Sequence, residues 1–204
     1  MDKIIFLVDD SEEYVKNFKK RLALWNDGFS LLSNETFGYV SDEMFDSFSD
    51  SVVQRIQNCR DACMAIFLDL GLNHDDQEPT QAGFRLGEIL RREFYELPIL
   101  VLTQFGKGKH IVEGYRYDFD AFIKKQDLAN FDSRQFLGCI TQAKNKRDAM
   151  VRNLGHYYTS HIKKSKTSPA ISFLYAFGTQ FISEGKNLES TLDSVVDMEK
   201  HFST

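Results

Sequence analysis

The sequence predicts an α/β protein: a doubly wound, five-stranded parallel sheet followed by an all-helical C-terminal extension. Two observations predict this fold class. Short runs that are apolar on both faces recur between segments with helical periodicity, and several of them stop abruptly at a charged or hydroxyl residue. Strands that are apolar throughout are typical of a parallel sheet that is covered by helices on both faces.

The predicted strands and helices alternate along the first 130 residues. Ser11 offers a helix N-cap after the first apolar run, and Glu12 and Glu13 suit the first turn of the helix that follows. In chain order, the strands are expected at 4–8, 29–32, 64–68, 98–102 and 121–123, and the helices at 14–25, 45–56, 84–94 and 111–117.

No strand pattern returns after residue 130. We expect a sheet domain at 1–130, whose fifth helix continues to about 154, and a helical appendage at 155–204. Pro169 indicates a break between the appendage helices, and two apolar stripes separated near Gly185 predict amphipathic helices. These stripes must be buried against the rest of the chain, a partner protein or a second copy of the chain, and the sequence leaves the three open.

The composition excludes several classes of protein. The chain has 204 residues, of which 42% are hydrophobic and 27% charged, which is ordinary for a globular domain. A net charge of −5 gives no reason to expect that the whole surface binds nucleic acid or anionic lipid. Three cysteines, no signal-peptide pattern and no long apolar run predict a cytoplasmic protein without membrane insertion.

Charged and hydroxyl side chains follow four of the predicted strands. Asp9 and Asp10 follow the first strand, Asp69 the third, Thr103 the fourth and Lys125 the fifth. Ligand sites of doubly wound sheets lie beyond the carboxyl ends of the strands, so these side chains are expected at one edge. Three close carboxylates favour a hard divalent cation such as Mg²⁺. A carboxylate can then attack phosphorus while the lysine and the hydroxyl stabilise the phosphoryl oxygens.

These segments, in this order, resemble the receiver domain of bacterial two-component response regulators. The resemblance covers about 4–128 and rests on the motifs IIFLVDDS, AIFLDLGL, PILVLTQF and AFIKKQDL. It implies a flavodoxin-like fold and a phosphoacceptor switch that assists its own phosphotransfer and dephosphorylation, rather than an enzyme. It also implies a sensor histidine kinase or a small phosphodonor as the phosphoryl source, and an output partner whose identity is unknown.

The resemblance assigns roles to the residues at the strand ends. Asp69 would be the phosphoacceptor, and Asp9 and Asp10 the acidic pair that holds Mg²⁺, with Asp10 as a direct ligand. Gly71, two residues after the acceptor, would offer its backbone carbonyl to the same ion. Thr103 would be the switch hydroxyl.

Two further roles depend on the register of the fifth strand. Phe122 would be the aromatic switch residue, and Lys125, three residues later, would bind the phosphoryl group. Lys124 is an adjacent candidate for that lysine. The chain also departs from the family pattern, because Gln126 stands where proline usually follows the lysine and because the loop 71–81 is long.

These departures keep other hypotheses open. A receiver-like interaction module that signals without phosphorylation is favoured by Gln104, Gln126 and the long loop, whereas the complete Asp/Thr/Lys set argues against it. An acid-site phosphohydrolase is a third hypothesis. Such enzymes place an Asp-x-Asp pattern after the first strand, and the segment 8–11 does not supply it.

Basic and aromatic residues cluster at 144–166, and Arg147 is among them. Such residues can bind nucleic acid through phosphate contacts and stacking, so a nucleic-acid-binding output through this segment is an alternative. A charged helix face followed by a basic linker explains the same pattern, and no helix-turn-helix pattern is apparent in 150–204. We therefore expect an output through protein contacts rather than nucleic acid.

Overall fold

A computed structural model describes residues 3–25, 28–38, 40–72, 81–103 and 118–157. In this part of the chain, five strands form one parallel sheet in the order β2-β1-β3-β4-β5. The strands are β1 Lys3–Val8, β2 Phe29–Ser33, β3 Cys63–Asp69, β4 Ile99–Thr103 and β5 Ala121–Lys124. The helices are α1 Glu12–Trp25, α2 Asp42–Cys59, α3 Gln81–Glu93, α4 Lys125–Asn130 and α5 Ser133–Tyr157, with a 3₁₀ turn at Arg60–Ala62. The predicted α/β fold with a five-stranded parallel sheet is confirmed.

Helices cover both faces of the sheet because its strands are apolar on both sides. Alternate side chains of each strand face opposite directions, so Phe6 packs in a core with α2 and α3. Its neighbour Ile5 packs in a second core with α1 and α5. An aromatic group holds α5 in that second core, where Phe136 stacks on Phe67 at 5.6 Å and contacts Trp25 at 4.6 Å.

The ends of the helices follow local sequence signals. The backbone N–H of Tyr14 donates to Ser11 Oγ at 3.2 Å, which is the N-cap that the sequence predicts for α1. The helix α5 begins at a capping box. The N–H of Gln135 donates to Asp132 Oδ1 at 2.7 Å, and the N–H of Asp132 donates to Gln135 Oε1 at 2.9 Å. The six-residue helix α4 directly follows β5 and was not predicted, because its single buried apolar residue, Leu128, gives no periodicity.

A glycine lets α3 approach the chain just after β3. A Cβ atom at Gly83 would lie 2.5 Å from the Leu70 carbonyl oxygen, closer than real Cβ contacts come. The first turn of α3 therefore lies directly beside the residue that follows Asp69. One turn later, a Cβ at Gly87 would lie 2.4 Å from the buried Phe119 ring. Both glycines fix the distance between α3 and the sheet.

The chain divides into two compact units, Met1–Arg147 and Asp148–Thr204. The predicted division into 1–130 and 155–204, with a helix continuing to about 154, stays a prediction. The expected helix at 111–117, Gln104, most of the loop 71–81 and residues 158–204 of the appendage lie outside the described residues. Within the described ranges, no helix is both long enough and apolar enough to span a bilayer.

Candidate functional site

The three predicted carboxylates form one buried cluster. Strands β1 and β3 are neighbours in the sheet, with Val8 opposite Leu68. The next residues along each chain segment, Asp9 and Asp69, therefore lie side by side. One carboxylate oxygen from each of Asp9, Asp10 and Asp69 lies within 4.8 Å of the other two. All three side chains are buried. The edge that the sequence predicts to be acidic is therefore acidic and shielded from bulk water.

The ammonium of Lys125 lies within this cluster. Its Nζ is 2.6 Å from Asp69 Oδ2 and 2.8 Å from Asp9 Oδ2. Burial would lower the pKa of this ammonium, but the carboxylates of Asp69 and Asp9 outweigh that effect and raise the pKa above its ordinary value. Lys124 is instead the last residue of β5, where its register neighbour is Thr103. A charged ammonium at Lys125 thus bridges two of the three carboxylates.

Burial and neighbouring charges affect the carboxylates of the cluster. Burial raises the pKa of Asp9 to about 6 from its ordinary 3.8, Lys125 lowers it, and the charge of Asp69 raises it further. Carboxylate oxygens are hard donors, and three of them converge here. This donor set fits a hard divalent cation such as Mg²⁺, which favours oxygen ligands.

Backbone N–H groups orient two of the carboxylates. The N–H of Ser11 donates to Asp9 Oδ1 at 2.9 Å, and the N–H of Gly71 donates to Asp69 Oδ1 at 3.0 Å. In each case an aspartate binds the N–H two residues later, which is a local turn that fixes the side chain. The role predicted for the Gly71 carbonyl as a metal ligand stays a prediction.

Sequence reasoning missed a buried amide that holds Asp9. Asn34 follows β2, and its Oδ1 accepts the N–H of Asp9 at 3.0 Å. Its Nδ2 donates to the Asp9 carbonyl at 2.9 Å and to the Thr36 carbonyl at 2.6 Å. The N–H of Gly38 donates to the Asp10 carbonyl at 2.8 Å. The signal was available, because Asn34 is a polar residue directly after a strand, as Asp9 is.

A tyrosine ring borders the site as well. The centroid of the Tyr14 ring lies 4.5 Å from Lys125 Nζ. Burial raises the pKa of the Tyr14 hydroxyl to about 12, Lys125 lowers it, and the charges of Asp9 and Asp69 raise it. The sequence pattern places Tyr14 only on the apolar stripe of α1, and nothing in that pattern points to Lys125.

The two predicted switch residues lie on neighbouring strands. Thr103 ends β4, one position beyond Leu102, the register partner of Asp69. Phe122, on β5, is the register partner of Val101 on β4, and its ring lies 6.0 Å from the Phe119 ring between centroids. The backbone thus places Thr103 at the same edge as the carboxylates. The switch roles of Thr103 and Phe122 stay predictions.

Solved structures share this arrangement of strands and helices. A response regulator receiver domain protein from Clostridium thermocellum superposes with a TM-score of 0.51 at 13% identity, covering 72% of this chain and 98% of its own. A CheY-like receiver domain protein from Methanospirillum hungatei JF-1 gives 0.50 at 16% identity, with coverages of 74% and 99%. The fold is that of a response regulator receiver domain. NtrX from Brucella abortus gives 0.53 at 19% identity, but the match covers 87% of this chain and only 34% of NtrX.

Comparison of the amino-acid sequence with known families and proteins finds no match. No protein-family model matches the chain, and no curated protein matches it either. The receiver fold therefore rests on three-dimensional similarity at low identity. This similarity shows the fold, and the geometry of the site is described independently of it.

Proposed function

We propose that the protein is a phosphorylation-dependent response regulator whose Asp69 accepts a phosphoryl group with the help of Mg²⁺. One observation carries this proposal: within a cluster of three buried carboxylates, the Lys125 ammonium binds Asp69 and Asp9. The receiver fold supports it. A cluster of this kind provides a nucleophile, a cation site and a fixed positive charge within a few ångströms.

The reaction transfers a phosphoryl group from a small acyl phosphate or from a phosphohistidine of a sensor kinase. A carboxylate oxygen of Asp69 forms a bond to phosphorus as the bond from phosphorus to the donor oxygen or nitrogen breaks. The donor leaves as a carboxylate, or as a neutral imidazole whose other ring nitrogen carries the proton, and Asp69 becomes an acyl phosphate. Bound by Asp9, Asp10 and Asp69, Mg²⁺ would neutralise charge on the transferring group.

Lys125 has the position to bind the product. Its Nζ is already 2.6 Å from Asp69 Oδ2, so a phosphoryl group on Asp69 lies within reach of the same ammonium. Thr103, at the end of the neighbouring strand, would offer a hydroxyl. If Lys125 binds the phosphoryl group, it no longer pairs directly with Asp69. Lys125 is the first residue of α4, and α5 begins three residues after α4 ends, so the change acts at the start of this helical segment. We propose that the output reaches a partner protein through this helical segment, in the cytoplasm.

The test is phosphorylation by acetyl phosphate with Mg²⁺, followed by intact mass measurement. We expect wild type to gain the mass of one phosphoryl group and Asp69→Asn to gain none. Asp61→Asn is the matched control, because Asp61 is an exposed aspartate in the turn before β3, and it should be phosphorylated as wild type is. Absence of the mass gain in wild type, or its presence in Asp69→Asn, would refute the proposal.

A module that signals without phosphorylation is the second candidate. The departures from the family pattern at Gln104, Gln126 and the long loop 71–81 favour it. The two functions differ in metal binding, which Trp25, the single tryptophan, can report through its contact with Phe136 on α5. A module of this kind should show no fluorescence change with millimolar Mg²⁺ and beryllofluoride, whereas a phosphoacceptor should respond to both.

A further inference from the structure

The Lys125 ammonium has an aromatic partner in addition to its two carboxylates. The Tyr14 ring centroid lies 4.5 Å from Nζ, which is within the range of a cation–π contact. The ring is held in place from two sides. The backbone N–H of Tyr14 donates to the N-cap Ser11, and the ring contacts Phe18 at 6.3 Å between centroids.

The other two partners of Lys125 are groups that a metal ion would also bind. Asp9 and Asp69 both belong to the cluster that fits Mg²⁺, and each pairs with Nζ through its Oδ2 atom. A divalent cation there would take up their negative charge and repel the ammonium at short range. The face of a neutral phenol ring attracts a cation and does not bind Mg²⁺, so the contact with Tyr14 survives when the carboxylates are occupied.

We propose that Tyr14 is a positioning residue: its ring face keeps the Lys125 ammonium in the site when a metal ion occupies the carboxylates. The inference deepens the proposed function and rests on it. Lysine side chains are flexible, and an ammonium that is repelled by the metal would otherwise turn toward water. With the ring in place, the ammonium is ready to bind the phosphoryl group as it arrives on Asp69.

Two substitutions at Tyr14 distinguish the effect of the aromatic ring from the effects of the hydroxyl and of apolar packing. Tyr14→Phe keeps the ring face, whereas Tyr14→Leu keeps an apolar, helix-compatible side chain without a ring. Phe29→Leu is the control, because it removes a ring from the same core, where Phe29 contacts Phe136 at 6.1 Å. Thermal unfolding of all three variants shows that they fold.

The first measurement is the NMR shift of the Lys125 side-chain CH₂ next to Nζ, with and without Mg²⁺. Protons over an aromatic ring are shifted upfield, so we expect an upfield shift in wild type, Tyr14→Phe and Phe29→Leu that persists with Mg²⁺. Tyr14→Leu should lose it. If the shift in wild type disappears on addition of Mg²⁺, or if Tyr14→Leu retains it, the proposal is overturned. This measurement does not require phosphorylation.

The second measurement is the rate of Asp69 phosphorylation by acetyl phosphate at saturating Mg²⁺. We expect Tyr14→Leu to be slower by about threefold to thirtyfold, the range that cation–π energies imply, and Tyr14→Phe to stay within about twofold of wild type. Equal rates in wild type and Tyr14→Leu would overturn the role of Tyr14 alone. If wild type is not phosphorylated at all, the proposed function fails, and the NMR shift still decides whether Tyr14 holds Lys125.

Discussion

The two ends of the sheet each bury a cluster of charged side chains, and the two clusters are built differently. At the carboxyl end, Asp9, Asp10 and Asp69 converge, and the Lys125 ammonium binds Asp9 and Asp69. At the amino end, two arginines pair with two aspartates. This second cluster, called here the arginine network, consists of Arg91, Asp118, Asp120 and Arg147.

Both carboxylate oxygens of the central aspartate in the arginine network are bonded. Asp120 Oδ1 accepts from Arg147 Nε at 2.9 Å and Nη2 at 2.7 Å, and Oδ2 accepts from Arg91 Nη2 at 2.7 Å and from the N–H of Ile99 at 2.8 Å. Arg147 Nη1 also donates to Asp118 Oδ2 at 2.8 Å. A two-pronged guanidinium contact of this kind is both strong and directional. The network joins α3, the start of β4, the segment before β5 and α5.

The carboxyl end is arranged differently. Three buried carboxylates converge within 4.8 Å of one another, and the Lys125 ammonium binds two of them, Asp9 and Asp69. The pKa of Asp9 is raised to about 6 mainly by burial and further by the charge of Asp69, so ionising this carboxyl group is costly. The comparison teaches that paired guanidinium and carboxylate groups join elements of the fold, whereas converging carboxylates form a donor set that suits a cation.

The largest effect is expected in the arginine network. Asp120→Asn removes the charge that faces Arg91 and Arg147, and breaking a buried pair by removing one partner costs about 3–5 kcal/mol. Urea unfolding followed by Trp25 fluorescence measures the free energy of unfolding. The exposed control Asp61→Asn should change it by less than about 0.5 kcal/mol. A cost for Asp120→Asn below about 1 kcal/mol would contradict the structural role of the network.

The opposite sign is expected at the carboxyl end. Folded Asp9 keeps its proton up to about pH 6 while the unfolded chain loses it near 3.8, so the stability of wild type should fall as pH rises through that window. At pH 7 without metal, Asp9→Asn should therefore be more stable than wild type by up to about 3 kcal/mol. The stability of Asp9→Asn should also fall much less than that of wild type between these two pH values. Urea unfolding at several pH values in EDTA measures both, and a destabilised Asp9→Asn would refute this prediction.

A smaller loss is expected where the backbone of Asp9 is held. Asn34→Ala leaves the buried N–H and carbonyl of Asp9 without their side-chain partner, at a cost of about 2 kcal/mol. It should also weaken Mg²⁺ binding, because Asp9 is no longer held in place. The control is Asn58→Ala, at an exposed asparagine of α2. Unchanged Mg²⁺ affinity in Asn34→Ala, measured by calorimetry, would show that Asn34 does not position the carboxylate.

The smallest effect is stabilisation by the metal itself. Mg²⁺ at ten times its dissociation constant should raise the free energy of unfolding of wild type by about 1.4 kcal/mol. Asp10→Asn should abolish this gain. A variant of the opposite end that still folds, such as Arg91→Lys, should retain it. Equal gains in Asp10→Asn and wild type would mean that the ion binds elsewhere.

The sequence by itself determined the sheet and the acidic edge. Apolar runs and helical spacing are local patterns, and the rule that strand ends share an edge needs no knowledge of contacts. Those patterns were sufficient to bring Asp9, Asp10 and Asp69 together, as the structure confirms. The same strand-end rule applied to uncharged residues would also have found Asn34.

The tertiary structure decided which residues complete the site and which do not. Lys125 rather than Lys124 reaches Asp69, because β5 ends at Lys124 and the next residue begins α4. Sequence periodicity does not locate the end of a strand to within one residue. Arg147 belongs by sequence to the basic segment, yet it is buried against Asp118 and Asp120. Tyr14 belongs by sequence to an apolar stripe, yet its ring meets an ammonium. Each outcome depends on a contact between distant segments, and only the packed chain brings such segments together.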